Sequence, residues 1–130
     1  MLKLLLVTTN QENFSDFALA LAGHNDVEVT LADSGQKALE MVSATPVDLV
    51  VADENLADMT GLRLAFQLLY VNPMVNCSVV SSLTAEQFHE ASEGLGLLAQ
   101  MPPRPDSDHA EELLNRLKDL KNIAAGAEPA

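Results

Sequence analysis

The feature that most constrains this chain is an alternation repeated five times. A short apolar run comes first, then a segment with apolar residues at helical spacing. Leu4 to Val7 is a continuous apolar run, and Phe14, Phe17, Ala18 and Leu21 follow at i, i+3, i+4 and i+7. Val27 to Leu31 alternates apolar and polar, the pattern of a strand with one wet face. Asp33 with Gln36 predicts a capping box that opens a helix through Ala38, Leu39 and Val42, ended by Thr45-Pro46. Leu49 to Ala52 is a third apolar run, and Leu62, Ala65, Phe66 and Leu69 form the next helical stripe before Asn72-Pro73. Ser78-Val79-Val80 predicts a short strand, and Thr84 with Gln87 a second capping box leading to Phe88 and Ala91. Leu95 to Ala99 reads as the fifth strand, and Pro102, Pro103 and Pro105 as a rigid loop. Leu113, Leu114, Leu117 and Leu120 read as the last helix. The small-residue stretch 122–130 reads as a flexible tail, so the domain is expected over residues 1–121.

Five strands, each followed by a helix, imply a parallel sheet covered on both faces. Strands buried on both sides are apolar throughout, whereas an edge strand can alternate. The first and third runs are continuous and the second alternates. The expected fold class is therefore α/β, a five-stranded parallel sheet in the order 2-1-3-4-5 with helices on both faces. In such a sheet, ligands and chemistry gather beyond the carboxyl ends of the strands, beside the switch point. The residues at those ends are Thr8, Thr9 and Asn10; Asp53, Glu54 and Asn55; Ser81 and Ser82; and Met101 and Pro102.

Charge narrows the partners. Seven basic against nineteen acidic residues give a formal net charge of −12. A phosphate backbone or an anionic membrane surface must be met by basic residues, so neither nucleic acid nor membrane is an expected partner. One cysteine excludes an internal disulfide and any multi-cysteine metal site, and Cys77 is expected to be a buried, inert thiol. His24, His89 and His109 are scattered without metal-ligand spacing and are expected at the surface. No apolar run approaches the ~20 residues of a spanning helix. Met1 to Val7 is too short an apolar stretch for a signal peptide, so a cytoplasmic location is expected. No glycine lies between Met1 and Ala22, which argues against a flavin phosphate loop. Asn55 stands where a dehalogenase-type phosphatase would need a second aspartate, which argues against that enzyme.

The stretch Asp48-Leu49-Val50-Val51-Ala52-Asp53, with Asp58-Met59-Thr60-Gly61 after it, resembles the receiver domain of two-component response regulators. The similarity runs through Leu120 in order and spacing. It implies that Asp53 takes the position of the phosphoryl acceptor and Ser81 that of the hydroxyl at the end of the fourth strand. Where the family has an acidic pair that holds Mg²⁺, this sequence has Thr8 and Thr9, leaving Asp53 and the Asn55 carbonyl as vestigial ligands. Hydroxyls bring no charge to an ion that wants hard, anionic oxygens. Met101, before Pro102, stands in place of the family's lysine, and Leu98 in place of its aromatic switch residue. A thioether cannot neutralise a phosphate.

Phosphoryl transfer is mostly positioning and charge neutralisation. Each charge-assisted contact is worth ~1.5–3 kcal/mol, so losing both metal site and lysine removes most support for a phosphorylated state. The expectation is a stand-alone receiver-like domain in phosphorelay signalling, a pseudo-receiver that is no enzyme and needs no cofactor. It would act by docking to a signalling protein, a histidine kinase or an output protein. A second copy of the chain is the other partner, met through the fourth helix, fifth strand and fifth helix. The alternative is a working receiver phosphorylated on Asp53 with Mg²⁺, in which Arg104 replaces the missing lysine. The resemblance also implies a cis peptide between Met101 and Pro102.

Overall fold

A computed structural model of the chain describes residues 1–124. Strands β1 (Leu2–Val7), β2 (Val27–Ala32), β3 (Leu49–Ala52), β4 (Asn76–Val80) and β5 (Ala99–Met101) form one parallel sheet in the order β2-β1-β3-β4-β5. Helices α1 (Ser15–Ala22), α2 (Gly35–Ala44), α3 (Gly61–Val71), α4 (Ala85–Ala91) and α5 (Ser107–Ala124) connect and follow the strands, and a 3₁₀ turn at Gln11–Phe14 precedes α1. The expected fold class and strand order are both present.

The period-2 geometry of a strand explains the two cores. Leu4 and Leu6 of β1, with Leu49 and Val51 of β3, pack against Phe17 and Leu21 of α1 and Leu113, Leu114 and Leu117 of α5. Leu5, Val7, Val50 and Ala52 point the other way, onto Ala38 and Val42 of α2, Leu64 and Leu68 of α3 and Phe88 of α4. A central strand with a core on each side must be apolar at every position, which is why β1 and β3 read as unbroken runs. Cys77 is buried in the second core, and burial pushes its thiol up to about 12. His24 and His109 are half-exposed and pair with Glu111 and Asp106 at 2.9 and 2.8 Å; His89 is exposed.

Several local expectations are corrected. The N-cap of α2 is Ser34, whose hydroxyl accepts from the Lys37 N–H at 3.1 Å, one residue beyond the expected Asp33. The capping box of Thr84 and Gln87 is present at α4. Strand β5 begins at Ala99, not Leu95. Gly94 and Gly96 both have positive φ, so the chain is still turning where the apolar run begins. On α3 the buried stripe is Gly61, Leu64, Ala65 and Leu68, while Phe66 and Leu69 face out. This helix is apolar almost all round, so two stripes fit the same period and only tertiary packing selects between them. Leu31 and Leu120 are likewise exposed.

The Met101–Pro102 bond is trans, as no cis peptide occurs among the described residues. A trans X–Pro bond is favoured by about 0.5–1 kcal/mol unless the surroundings demand otherwise. Here Met101 is anchored in the first core, and Arg104, beyond the two prolines, adopts a positive φ of 53°. Helix α5 runs through Ala124, and the rest of the expected tail lies outside the described residues.

Candidate functional site

Parallel pairing brings the carboxyl ends of the strands together at one edge. Val7 pairs with Ala52, so the residues that follow, Thr8 and Asp53, emerge side by side. The ladder runs one bond further, with the Asp53 N–H donating to the Val7 carbonyl at 2.8 Å. Asp53 is 8% exposed. Its Oδ2 accepts from the Thr8 hydroxyl at 2.7 Å and from the Asn13 side-chain amide at 2.9 Å. Its Oδ1 accepts from the Glu54 N–H at 2.8 Å. Among the described residues Asp53 forms no ion pair.

Local sequence sets this geometry. The Asn10 side chain accepts from the Glu12 N–H and caps the 3₁₀ turn, which carries Asn13 back over the strand end. The Thr8 hydroxyl accepts from the Asn10 N–H at 3.0 Å, and its single proton faces two acceptors, the Asp53 carboxylate at 2.7 Å and the Asn10 carbonyl at 3.0 Å, of which the carboxylate is the nearer.

After Asp53 the chain makes a tight loop. Leu56 N–H donates to the Met59 carbonyl at 2.8 Å, and Asn55 bridges Thr60. The Asp58 carboxylate accepts from the N–H groups of Gly35 and Gln36 at the start of α2, both at 2.9 Å. The Gln36 and Gly35 N–H groups hold its carboxyl below the usual carboxylate range. Gly61 closes the loop, donating to the Glu54 carbonyl at 3.0 Å. A Cβ at Gly61 would sit 2.4 Å from the Asp53 carbonyl oxygen and 2.9 Å from a Val79 methyl, so no side chain fits there.

The loop after β4 is clasped from two sides. Glu54 Oε2 accepts from the Ser82 N–H at 3.0 Å and from its hydroxyl at 2.9 Å. The Gln100 side-chain amide donates to the Leu83 carbonyl at 2.9 Å and, more loosely, to that of Ser81 at 3.4 Å. Ser81 is buried, and its hydroxyl accepts from the Leu83 N–H at 3.1 Å.

A cavity of about 430 Å³ opens above Asp53, with Thr9, Asn13, Glu54, Asn55, Pro103 and Arg104 on its wall. Of the residues singled out in the sequence, Thr8 and Asp53 are thus in contact, and Thr9 and Asn55 line the cavity with Asp53. Leu98 and Met101 are not there; both pack with the first core, and Pro102 is exposed. Asn13 and Gln100 escape a sequence reading. Asn13 is one 3₁₀ turn after the capping Asn10, which is the only local signal for it. Gln100, a polar residue inside a short apolar strand, is the only hint of the clasp.

Residues 4–100 match the response regulator receiver domain family. A response regulator receiver protein of Anaeromyxobacter sp. (strain Fw109-5) is 30% identical over 102 residues, covering 78% of this chain and 42% of that relative. The chain therefore spans less than half the length of that curated relative. The signal receiver domain of an HD domain-containing protein from Pseudomonas fluorescens Pf-5 superposes with a TM-score of 0.82 at 15% identity, covering 95% of this chain and 91% of that one. The chemotaxis response regulator CheY4 of Vibrio cholerae gives 0.78 at 18% identity, covering 90% and 98%. At such identities these structures share the fold. With the family match over residues 4–100, strand order β2-β1-β3-β4-β5 and an aspartate at the end of β3, this chain belongs to the response regulator receiver domain family.

Proposed function

We propose that this receiver domain works as a pseudo-receiver, a docking module for a signalling protein such as a histidine kinase or an output protein, without a phosphorylation cycle. One observation carries the reading: both oxygens of Asp53 are held by neutral donors, Thr8, Asn13 and the Glu54 N–H. A carboxylate so engaged is a keystone that ties β1, the 3₁₀ turn and the β3 loop together. Oδ2 has both its lone pairs engaged, which leaves one free lone pair, on Oδ1, and each of the three bonds, worth about 1.5–3 kcal/mol to a charged group, lowers the carboxylate's nucleophilicity.

The donor set is also a poor match for Mg²⁺, which takes hard oxygens in a near-octahedral shell and favours carboxylates. The cavity offers the Asp53 carboxylate, held by three donors, and that of Glu54, whose Oε2 is turned to Ser82, beside two threonine hydroxyls. Among the described residues, no three His, Cys, Asp or Glu side chains converge on a point that an ion would occupy. These residues do not fit a Mg²⁺ site. No helix among the described residues is long and apolar enough to cross a membrane.

Arg104 supports a second reading, a working receiver. It stands on the cavity wall above Asp53, where a cation is needed if a phosphoryl group is to be held. Intact-mass measurement after incubation with acetyl phosphate and Mg²⁺ separates the two. The pseudo-receiver gains no phosphate. A single added phosphate, absent in Asp53→Asn, establishes the second reading, and its loss in Arg104→Ala assigns the cation.

A further inference from the structure

Between Asp58 and Glu86 the only charged residue is Arg63, in a chain of net charge −12. That stretch contains α3, whose outer side carries Phe66, Leu69, Tyr70 and Val71, with Met74 just beyond. Tyr70 is 78% exposed and Met74 84%, and no described residue covers them. The Phe66 and Tyr70 rings meet edge-on with centroids 5.4 Å apart, and the Arg63 guanidinium lies over Phe66 at 5.9 Å. The other helices present exposed carboxylates: Asp16 on α1, Glu40 on α2, Glu86 and Glu90 on α4, Glu111 and Glu112 on α5.

We propose that this face joins two copies of the chain, their α3 helices packed antiparallel about a two-fold axis near Phe66. Two chains of charge −12 repel wherever carboxylates meet, and α3 is the helix that brings none. Arg63, Phe66 and Tyr70 stand at i, i+3 and i+7, on one stripe. The midpoint between positions 63 and 70 falls beside 66. Antiparallel pairing centred there sets each Arg63 against the second copy's Tyr70 and repeats between chains the guanidinium-on-ring contact already made within one. A self-complementary patch of this kind is what a two-fold interface requires.

The area sets the strength. With large side chains burying roughly 150–250 Å² when fully covered, the exposed fractions amount to on the order of 500 Å² per copy, or about 1,000 Å² in all. That is the lower limit of a specific interface. It fits a reversible dimer with a Kd on the order of 100 µM.

Tyr70 is the only tyrosine and the chain has no tryptophan, so intrinsic emission reports from the centre of the patch. Sedimentation velocity and acrylamide quenching of the full chain would run from about 5 µM to about 1 mM, a range that brackets the expected Kd. The expected result is a monomer passing to a dimer, with Tyr70 quenching falling about threefold as the ring is covered. Raising NaCl from about 0.05 to 0.5 M should tighten association roughly threefold, because salt screens the repulsion between acidic faces. Tyr70→Glu should stay monomeric throughout with an unchanged far-UV spectrum, whereas Arg116→Glu on α5 should associate as the parent does. A parent chain still monomeric at the highest concentration overturns the proposal. So does a dimer indifferent to Tyr70→Glu, or a Tyr70 already shielded from acrylamide in the dilute monomer.

Discussion

The two ends of the sheet treat their carboxylates in opposite ways. Where the strands begin, acids meet cations. Asp48 pairs with Lys121 and also accepts from the Lys3 N–H, and Asp26 pairs with Lys118 at 3.0 Å. Where the strands end, Asp53, Glu54 and Asp58 are held by hydroxyls, an amide and backbone N–H groups, with no ion pair among the described residues. The first arrangement is long-range and screened by salt. The second is short-range, directional and intolerant of a missing partner. The far end is joined by charge and the loops around Asp53 by geometry, while Asp106 and His109 pair beside those loops at the start of α5.

The largest test of that contrast is Gly61→Ala. A methyl group there meets the Asp53 carbonyl and Val79 at distances real atoms do not adopt, so the start of α3 and the Asp53 loop must move apart. The expected loss is about 3 kcal/mol of unfolding free energy, read from urea denaturation. Amide shifts of Thr8, Asp53 and Asn13 should change while those of Lys3 and Asp48, at the far end, stay put. A mild loss with no shifts at the site would remove the idea that Gly61 shapes it.

Thr8→Val ranks next. The side chain keeps its shape, but Asp53 loses its shortest bond and the Asn10 N–H loses its acceptor. About 2 kcal/mol should go, and because the donor is neutral the loss should be the same at low and high salt. A loss that fades with salt would mean the strand-end carboxylates feel distant charge after all.

Lys121→Met has the smallest expected effect, at most about 1 kcal/mol, since both partners are partly exposed. It should vanish in concentrated salt. It should also vanish in acid. Burial pushes the Asp48 carboxyl up, but the Lys121 ammonium and the Lys3 N–H outweigh it and hold it below its ordinary value of 3.8. A depressed carboxyl contributes stability above that ordinary value and loses it as pH falls through the lower, folded one. Parent and variant should therefore converge in thermal melts once the pH is well below that ordinary value and Asp48 is protonated in the folded chain. Divergence that persists there would assign the difference to packing of the lysine stem.

Fold class and strand order were legible because they rest on burial. Continuous runs in β1 and β3 and alternation in β2 follow directly from which strands lie inside the sheet. What periodicity could not decide was phase and place. On α3 two apolar stripes compete, and packing against the second core selects between them. At β5 the apolar run starts four residues before the ladder, because two glycines are still turning the chain. For the site, Asp53 and Thr8 were legible from the family spacing. Asn13 and Gln100 were not, since each reaches its partner through a turn or a register known only in three dimensions. Met101 shows the reverse error: aligned with a pocket residue in sequence, it is core in space.

The clasp on the loop after β4 bears on how such a protein could carry information. Glu54 and Gln100 pin that loop from the β3 side and from the β5 side at once. Contacts of this kind, made from both neighbouring strands, favour one shape of the loop for a partner to meet. Under the docking role proposed above, what the partner senses is then abundance, fixed by how fast the chain is made and degraded. The rate of the response becomes that of protein turnover, and its strength a matter of stoichiometry.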